Sequence, residues 1–147
     1  RLKYNSAGRL YKLKFTPNQS EYEWEQINVN CSQHQGYIWQ HSANFTKESL
    51  FDGEKGLFLT VVGGCRYPNT PYKSIVEINL ETNKVTHSLD LEKGLVSHDA
   101  VVKDNKLYIF GGSNGGDFNS AICVLHKGKI SYLKGHRAIG CSTCLLD

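Results

Sequence analysis

Cysteine and histidine are the residue types in this sequence with the greatest capacity for metal or redox chemistry. Cys141 and Cys144 form a Cys-x-x-Cys pair, the spacing of many zinc ligands and dithiol redox sites. Such sites also need a second ligand pair or a helix N-terminus, and neither is visible near these residues. On a strand, residues three apart point to opposite faces. We therefore predict that these cysteines are structural and that the chain holds no metal and no cofactor.

The remaining candidates do not complete a catalytic or metal site. Cys31 and Cys65 fall in predicted loops, where a reactive thiol and a paired thiol both stay open as alternatives. None of the six histidines stands at His-x-x-x-His spacing. A histidine–carboxylate set cannot be chosen from Asp99, Asp104 and Asp117 without arbitrary choices. We expect no catalytic residues and a protein that is not an enzyme.

Charge and hydropathy exclude two classes of partner. The formal net charge is only +3 with a sequence pI near 8.6, and Lys and Arg are scattered rather than clustered. A nucleic-acid-binding protein usually carries a basic stripe, so we expect no nucleic acid. No apolar run approaches the roughly 20 residues of a membrane helix, so we expect no membrane insertion.

Cysteine usage and glycosylation sequons point to different compartments. The odd count of five cysteines does not describe a closed disulfide framework, which favours a cytoplasmic protein with reduced thiols. Three Asn-x-Ser/Thr sequons favour the alternative, an extracellular glycosylated recognition domain. The candidate acceptors are Asn18, Asn30 and Asn44.

A glycine pair recurs in the chain and indicates how its elements are arranged. Gly63-Gly64 ends the β-prone run 57–62, and Gly111-Gly112 ends the similar run 106–110. The two pairs lie 48 residues apart, and each precedes a polar loop. A repeat of about 40–50 residues built only from strands is the period of a β-propeller.

Alternating apolar and polar residues predict strands throughout, and no segment holds a convincing helical period. The predicted fold class is therefore all-β. We expect about two complete four-stranded blades with flanking half-blades, which is a partial propeller. A ring needs at least four blades, so the missing blades would come from the rest of a longer chain or from another subunit. The predicted boundaries are residues 1–30 for the end of one blade, 37–91 and 95–133 for two blades, and 136–147 for the start of the next.

The repeated segments resemble the kelch family of β-propellers. The third unit carries residues 98–102 (HDAVV) and then 107–112 (LYIFGG), and the second unit carries 61–64 (VVGG). Trp24 matches the tryptophan near the fourth strand of kelch blades, whereas Val85 and Ile130 replace it in the next two units. The resemblance implies that Trp24 seals one blade against the next and that His98 is a hydrogen-bonded structural residue.

The resemblance also implies a role. Kelch propellers commonly act as protein-interaction scaffolds, for example as adaptors or assembly subunits. Some members are enzymes, of copper oxidase or sugar epimerase type, and this remains an alternative. No copper-binding constellation can be matched position by position in this sequence.

The loops that follow the glycine pairs are the candidate binding surface. Residues 65–73 and 113–119 both follow a Gly-Gly strand, so both should project from the same face of the array. Exposed aromatic residues and Arg are typical anchors of protein interfaces. The predicted partner-binding residues are Arg66, Tyr67, Tyr72, Asn114, Asp117 and Phe118, and the predicted structural residues are Gly63, Gly64, Gly111, Gly112 and Trp24.

Overall fold

The computed structural model describes residues 9–15, 22–29, 38–66 and 69–135. Within these ranges the protein contains strands and turns but no helix, which confirms the all-β class. The strands are β1 (Arg9–Phe15), β2 (Tyr22–Asn28), β3 (Trp39–Glu48), β4 (Lys55–Arg66), β5 (Thr70–Pro71), β6 (Ser74–Asn79), β7 (Lys84–Asp90), β8 (Val96–Lys103), β9 (Lys106–Ser113), β10 (Ala121–His126) and β11 (Lys129–Lys134).

These strands form three antiparallel sheets, and none of the sheets closes on itself within the described residues. The N-terminal sheet pairs β1 with β2. The middle sheet has the order β3-β4-β6-β7, with the short β5 also paired to β4. The C-terminal sheet runs β8-β9-β10-β11. Both larger sheets are meanders whose neighbouring strands are neighbours in sequence.

Tight turns between the strands use the residues that tolerate a left-handed backbone. Asp104 and Asn105 join β8 to β9 with φ of 50° and 53°, and Lys127 and Gly128 join β10 to β11 with φ of 49° and 67°. Two consecutive positive φ values characterise the type I′ hairpin turn, whose twist matches that of the strands.

The middle sheet is covered on both faces. Its first face packs against the C-terminal sheet, where Val62 and Ile75 meet Ala100, Leu107 and Ile109 in one buried cluster. Its second face packs against the N-terminal sheet in a smaller cluster, which contains Val29, Val76 and Ile78 with part-buried Leu10, Ile27 and Val85. As a result, every residue of β6 is buried. A strand buried on both faces loses the apolar–polar alternation of a half-exposed strand.

The glycine pairs lie inside strands rather than at their ends, which corrects the sequence prediction. Gly63 and Gly64 belong to β4, and Gly111 and Gly112 belong to β9. All four have positive φ, between 54° and 87°. Such angles are costly for residues with a Cβ, which explains why both sites are glycine. After each kink the strand continues and pairs again with its neighbour.

The loop predicted at residues 65–73 is wrong. Residues 65–73 are not a single loop, because β4 continues to Arg66 and β5 folds back to pair with it. Cys65 is therefore a buried strand residue. The connection between β3 and β4 is a loop of residues 49–54, since β3 ends at Glu48 and β4 begins at Lys55.

Within the described ranges, Trp24 in the N-terminal sheet does not form the expected seal between two blades. The indole lies opposite Leu13 in the β1–β2 register, and 60% of the residue is exposed. The described residues therefore show no blade seam formed by this side chain. The proposed blade start at 136–147 lies outside the described residues, as do Tyr67, Cys31, Cys141 and Cys144.

Candidate functional site

A partly open cavity of about 350 Å³ lies between the β7–β8 connection and the β9–β10 loop. The connection, residues 91–95, forms one wall, and residues 114 and 117–121 form the opposite wall. Cys123 and Tyr132, which face each other across β10 and β11, complete the lining. The cavity lies at the end of the C-terminal sheet where β9 ends and β10 begins.

Two asparagines hold the β9–β10 loop in shape. The Asn114 carboxamide oxygen accepts hydrogen bonds from the backbone amides of Gly116 at 3.2 Å and Asp117 at 2.9 Å. The Asn119 carboxamide nitrogen donates to the carbonyl oxygens of Gly111 at 3.0 Å and Ala121 at 2.9 Å. These side chains replace the strand hydrogen bonds that the loop gives up. These hydrogen bonds fix the backbone of the loop, so the side chains of its other residues are held in a defined arrangement.

The opposite wall is braced by the β4–β6 segment. The Leu95 amide donates to the Tyr72 carbonyl at 2.9 Å, and the Leu91 amide donates to the Lys73 carbonyl at 2.6 Å. Gly94 packs directly on Pro71, because a Cβ at Gly94 would lie 2.7 Å from the Pro71 Cβ. The backbone of the connection is therefore held at three points by one neighbouring segment.

The predicted partner-binding residues separate into two groups. Asn114, Asp117 and Phe118 line the cavity. Arg66 and Tyr72 lie behind the other wall, where the guanidinium carbon is 5.8 Å from the centre of the Tyr72 ring. The 91–95 connection, which hydrogen-bonds to Tyr72, lies between the two groups.

Sequence reasoning missed the cavity residues outside the two chosen loops, and Glu92, Lys93 and Tyr132 are among them. Glu92 and Lys93 belong to a turn at the same end of the sheet, which the strand order alone would have indicated. Tyr132 lies in a strand, and the alternation of residues along that strand predicts the face of the sheet on which Tyr132 lies but not that this face lines a cavity. Its neighbour across the sheet, Cys123, likewise gives no sequence signal of its own.

The cavity contains charged groups without ion-pair partners among the described residues. Glu92, Lys93 and Asp117 each lie beyond ion-pair distance of an opposite charge there. Burial raises the pKa of the Cys123 thiol to about 11. Burial is also the main cause that raises the pKa of the Tyr132 phenol, with the thiol of Cys123 next. Cys123 is therefore a neutral thiol at neutral pH and lacks the thiolate that nucleophilic chemistry needs.

A second polar cluster surrounds Glu77, which is fully buried in β6. Its carboxylate accepts hydrogen bonds from the Ser49 hydroxyl and the Leu50 amide, both at 2.8 Å. It also accepts from Thr86 at 3.3 Å and contacts His87 Nδ1 at 3.2 Å. Ser49 bonds to the carboxylate and not to His87, so the cluster contains no serine–histidine pair of the kind that activates a nucleophile.

The Glu77 cluster fastens the β3–β4 loop, which in turn reaches the C-terminal sheet. Asn105 donates to the Ser49 carbonyl at 3.3 Å, and the Gly128 amide donates to the Leu50 carbonyl at 3.2 Å. This end of the molecule is opposite to the cavity, because it holds the β8–β9 and β10–β11 turns. The Glu77 cluster therefore has a structural role, since it holds the loop through which the middle sheet is hydrogen-bonded to the C-terminal sheet.

His98 links β8 to β3, the first strands of the two larger sheets. Its Nε2 lies 2.9 Å from the Ser42 hydroxyl in a buried hydrogen bond, in agreement with the structural role predicted for it. Burial lowers the pKa of His98 to about 4, which the charge of Asp99 partly opposes. The imidazole is therefore neutral at neutral pH.

The structure gives three further findings on candidate sites. Within the described ranges, no group of three or more His, Cys, Asp or Glu side chains is arranged to hold a metal ion. Over the same ranges no helix is long and apolar enough to cross a membrane. The side-chain nitrogen of Asn44 is buried, which argues against this residue as a glycan acceptor. Asn18 and Asn30 lie outside the described residues.

Together the fold and the site define an all-β protein of stacked four-stranded sheets with a braced cavity at one end. No family model matches the sequence, and no curated protein matches it. Among solved structures, the chain is similar to that of YjhT, with a TM-score of 0.64 and 17% sequence identity. The similarity covers 88% of this chain and 45% of YjhT, so the chain spans less than half of that protein. At this identity the likeness concerns the fold alone.

Proposed function

We propose that the chain is a segment of a kelch-type β-propeller and serves as a protein-interaction scaffold. The propeller assignment is supported by two consecutive sheets of four strands that stack face to face and carry a Gly-Gly kink in the second strand. It is supported further by the kelch-like residues around each glycine pair.

The cavity with its braced walls is the observation that carries the scaffold role. Phe118 projects from the β9–β10 loop, and 51% of the residue is exposed. Aromatic anchors on rigid loops are typical of binding hot spots, because little conformational entropy is lost when a partner covers them. Asn114 and Asp117 supply polar groups beside this anchor, and the wall formed by residues 91–95 is held by backbone hydrogen bonds.

The chemistry of the cavity favours binding over catalysis. Cys123 is a neutral thiol, and the described residues that line the cavity include no histidine that could act as a base beside it. The Glu77–His87 cluster is at the other end of the molecule, and its carboxylate is inaccessible. We therefore assign the role of a non-catalytic interaction module to this segment.

Site-specific photo-crosslinking in the full-length protein tests the proposal. A photoreactive amino acid at position 118 should capture a partner protein, whereas the same group at Lys103, at the opposite end of β8, should not. Phe118→Ala should then weaken binding of the captured partner by about tenfold or more, with Lys103→Ala as the matched control. Equal capture from both positions, or unchanged binding by a folded Phe118→Ala variant, would contradict the proposal.

A further inference from the structure

We propose that the cavity binds a cationic side chain, Arg or Lys, of the partner polypeptide. This inference rests on the proposed function, since it names the chemistry by which the same site selects its partner. It is carried by the charges of the two cavity walls and by the aromatic rings between them.

The carboxylates stand on opposite walls of the cavity. Glu92 belongs to the β7–β8 connection and Asp117 to the β9–β10 loop, so a side chain entering between them would meet negative charge from both sides. Neither carboxylate has an ion-pair partner among the described residues. A cation in the cavity would therefore gain attraction without breaking an existing pair.

Among the described residues of the lining, Lys93 is the single cationic one. It is exposed to solvent, and its long flexible stem lets the ammonium group turn toward water. The described part of the lining therefore carries an excess of one negative charge, from Glu92 and Asp117 against Lys93, although the whole chain has a net charge of +3. The negative character belongs to the cavity and not to the protein as a whole.

The aromatic lining suits the same ligand. Phe118 and Tyr132 both line the cavity, and each is 51% exposed. Aromatic faces attract guanidinium and ammonium groups and also cover the apolar stems of Arg and Lys. An anionic ligand would instead face two carboxylates, and a purely apolar one would strip them of water without giving them a partner.

Peptide titration of the full-length protein, followed by backbone NMR, tests this assignment. The probes are Ac-Gly-Arg-Gly-NH2 and its citrulline analogue, which keeps the shape of arginine without its charge. We expect the arginine peptide to shift the amides of residues 91–95 and 114–119 and to bind at least about fivefold more tightly than the citrulline peptide. The combined variant Glu92→Gln/Asp117→Asn should remove this preference, and Asp104→Asn, at the far end of β8, should keep it.

The outcomes separate this inference from the function on which it rests. Equal affinity for the two peptides, or an unchanged preference in the Glu92→Gln/Asp117→Asn variant, would overturn the cationic assignment. If that variant still binds the partner captured through position 118 as tightly as the parent protein does, the scaffold role stands and the cationic assignment fails. A preference for arginine that disappears with the two carboxylates would support it.

Discussion

The backbone amide of Gly64 donates a hydrogen bond of 2.8 Å to the carbonyl oxygen of Leu95. This bond joins the kink within β4 to the connection that enters β8, and so joins the middle sheet to the C-terminal sheet. The same contact leaves no room at the preceding residue, because a Cβ on Gly63 would lie 2.2 Å from the Leu95 oxygen. The glycine pair is thus part of the interface between sheets as well as a kink within one.

Substitution of Gly63 should therefore separate the two sheets. Gly63→Ala introduces both the clash with Leu95 and a methyl group at a positive φ, so we expect a loss of at least about 2 kcal/mol in the free energy of unfolding. Gly116→Ala is the matched control, because no atom lies within 4 Å of a Cβ there. Urea denaturation measures both variants. A loss below about 0.5 kcal/mol for Gly63→Ala would show that the interface does not depend on this glycine.

Removal of the Glu77 charge should loosen the β3–β4 loop. Glu77→Ala leaves the Ser49 hydroxyl and the Leu50 amide without their buried acceptor, so we expect destabilisation of about 3 kcal/mol or more. Hydrogen exchange should accelerate at residues 49–54 more than at the cavity. Glu81→Ala, an exposed glutamate in the turn after β6, is the control and should change stability little. Equal losses in the free energy of unfolding for the two substitutions would contradict the proposal that Glu77 holds the β3–β4 loop in place.

The neutral state of His98 predicts a loss of stability in acid. Burial lowers its pKa in the folded chain to about 4, below the ordinary histidine pKa of 6.5 that the unfolded chain should have. The unfolded chain therefore binds this proton first, and stability present above pH 6.5 is lost as the pH falls toward 4. The full effect is at most about 3 kcal/mol.

Urea denaturation between pH 7 and 4 tests the His98 prediction. The His98→Asn variant should be less stable at pH 7 but should lose less stability over this interval, because it lacks the titrating group. A second contribution in the same direction comes from His41, whose pKa is also lowered by burial. An identical pH dependence in the parent protein and in His98→Asn would contradict the assignment.

A buried hydroxyl without a partner offers a stabilising substitution. Thr60 in β4 is fully buried, and its Oγ1 forms no hydrogen bond in the structure. Valine has nearly the same shape and removes this desolvated group, so Thr60→Val should raise the free energy of unfolding by about 1 kcal/mol. Thr82→Val, in an exposed turn, is the control. Destabilisation by Thr60→Val in thermal or urea melts would show that the hydroxyl is satisfied.

Strand positions were predictable from the sequence because alternation and turn residues are local properties. The alternating residues on either side of Asp104-Asn105 form β8 and β9, and these two residues tolerate the positive φ of the turn between them. The extension of β4 beyond Gly64 was not predictable in this way. A glycine pair resembles a strand end in sequence, and the pairing of Cys65 with β3 and of Cys65 and Arg66 with β5 shows that the strand continues.

The candidate site was predictable in part for a related reason. The end of the sheet from which the loops project follows from strand order, and this places Asn114, Asp117 and Phe118. The contribution of Tyr132 depends on a strand that is distant in sequence from the connection 91–95 and meets it only in the folded chain. The burial of Glu77 was not predictable from the sequence either. This glutamate lies within the run of buried residues 74–79, and its hydrogen-bond partners come from the loop 49–54 and from β7, which meet it only in the folded chain.

Hydrogen–deuterium exchange of the full-length protein, alone and with the partner captured through position 118, tests the scaffold role most directly. The cavity walls, residues 91–95 and 114–121, should become protected when the partner binds. The turns at the opposite end, residues 80–83, 104–105 and 127–128, should exchange as before. Protection confined to those opposite turns, with no change at the cavity walls, would contradict the proposed interaction site.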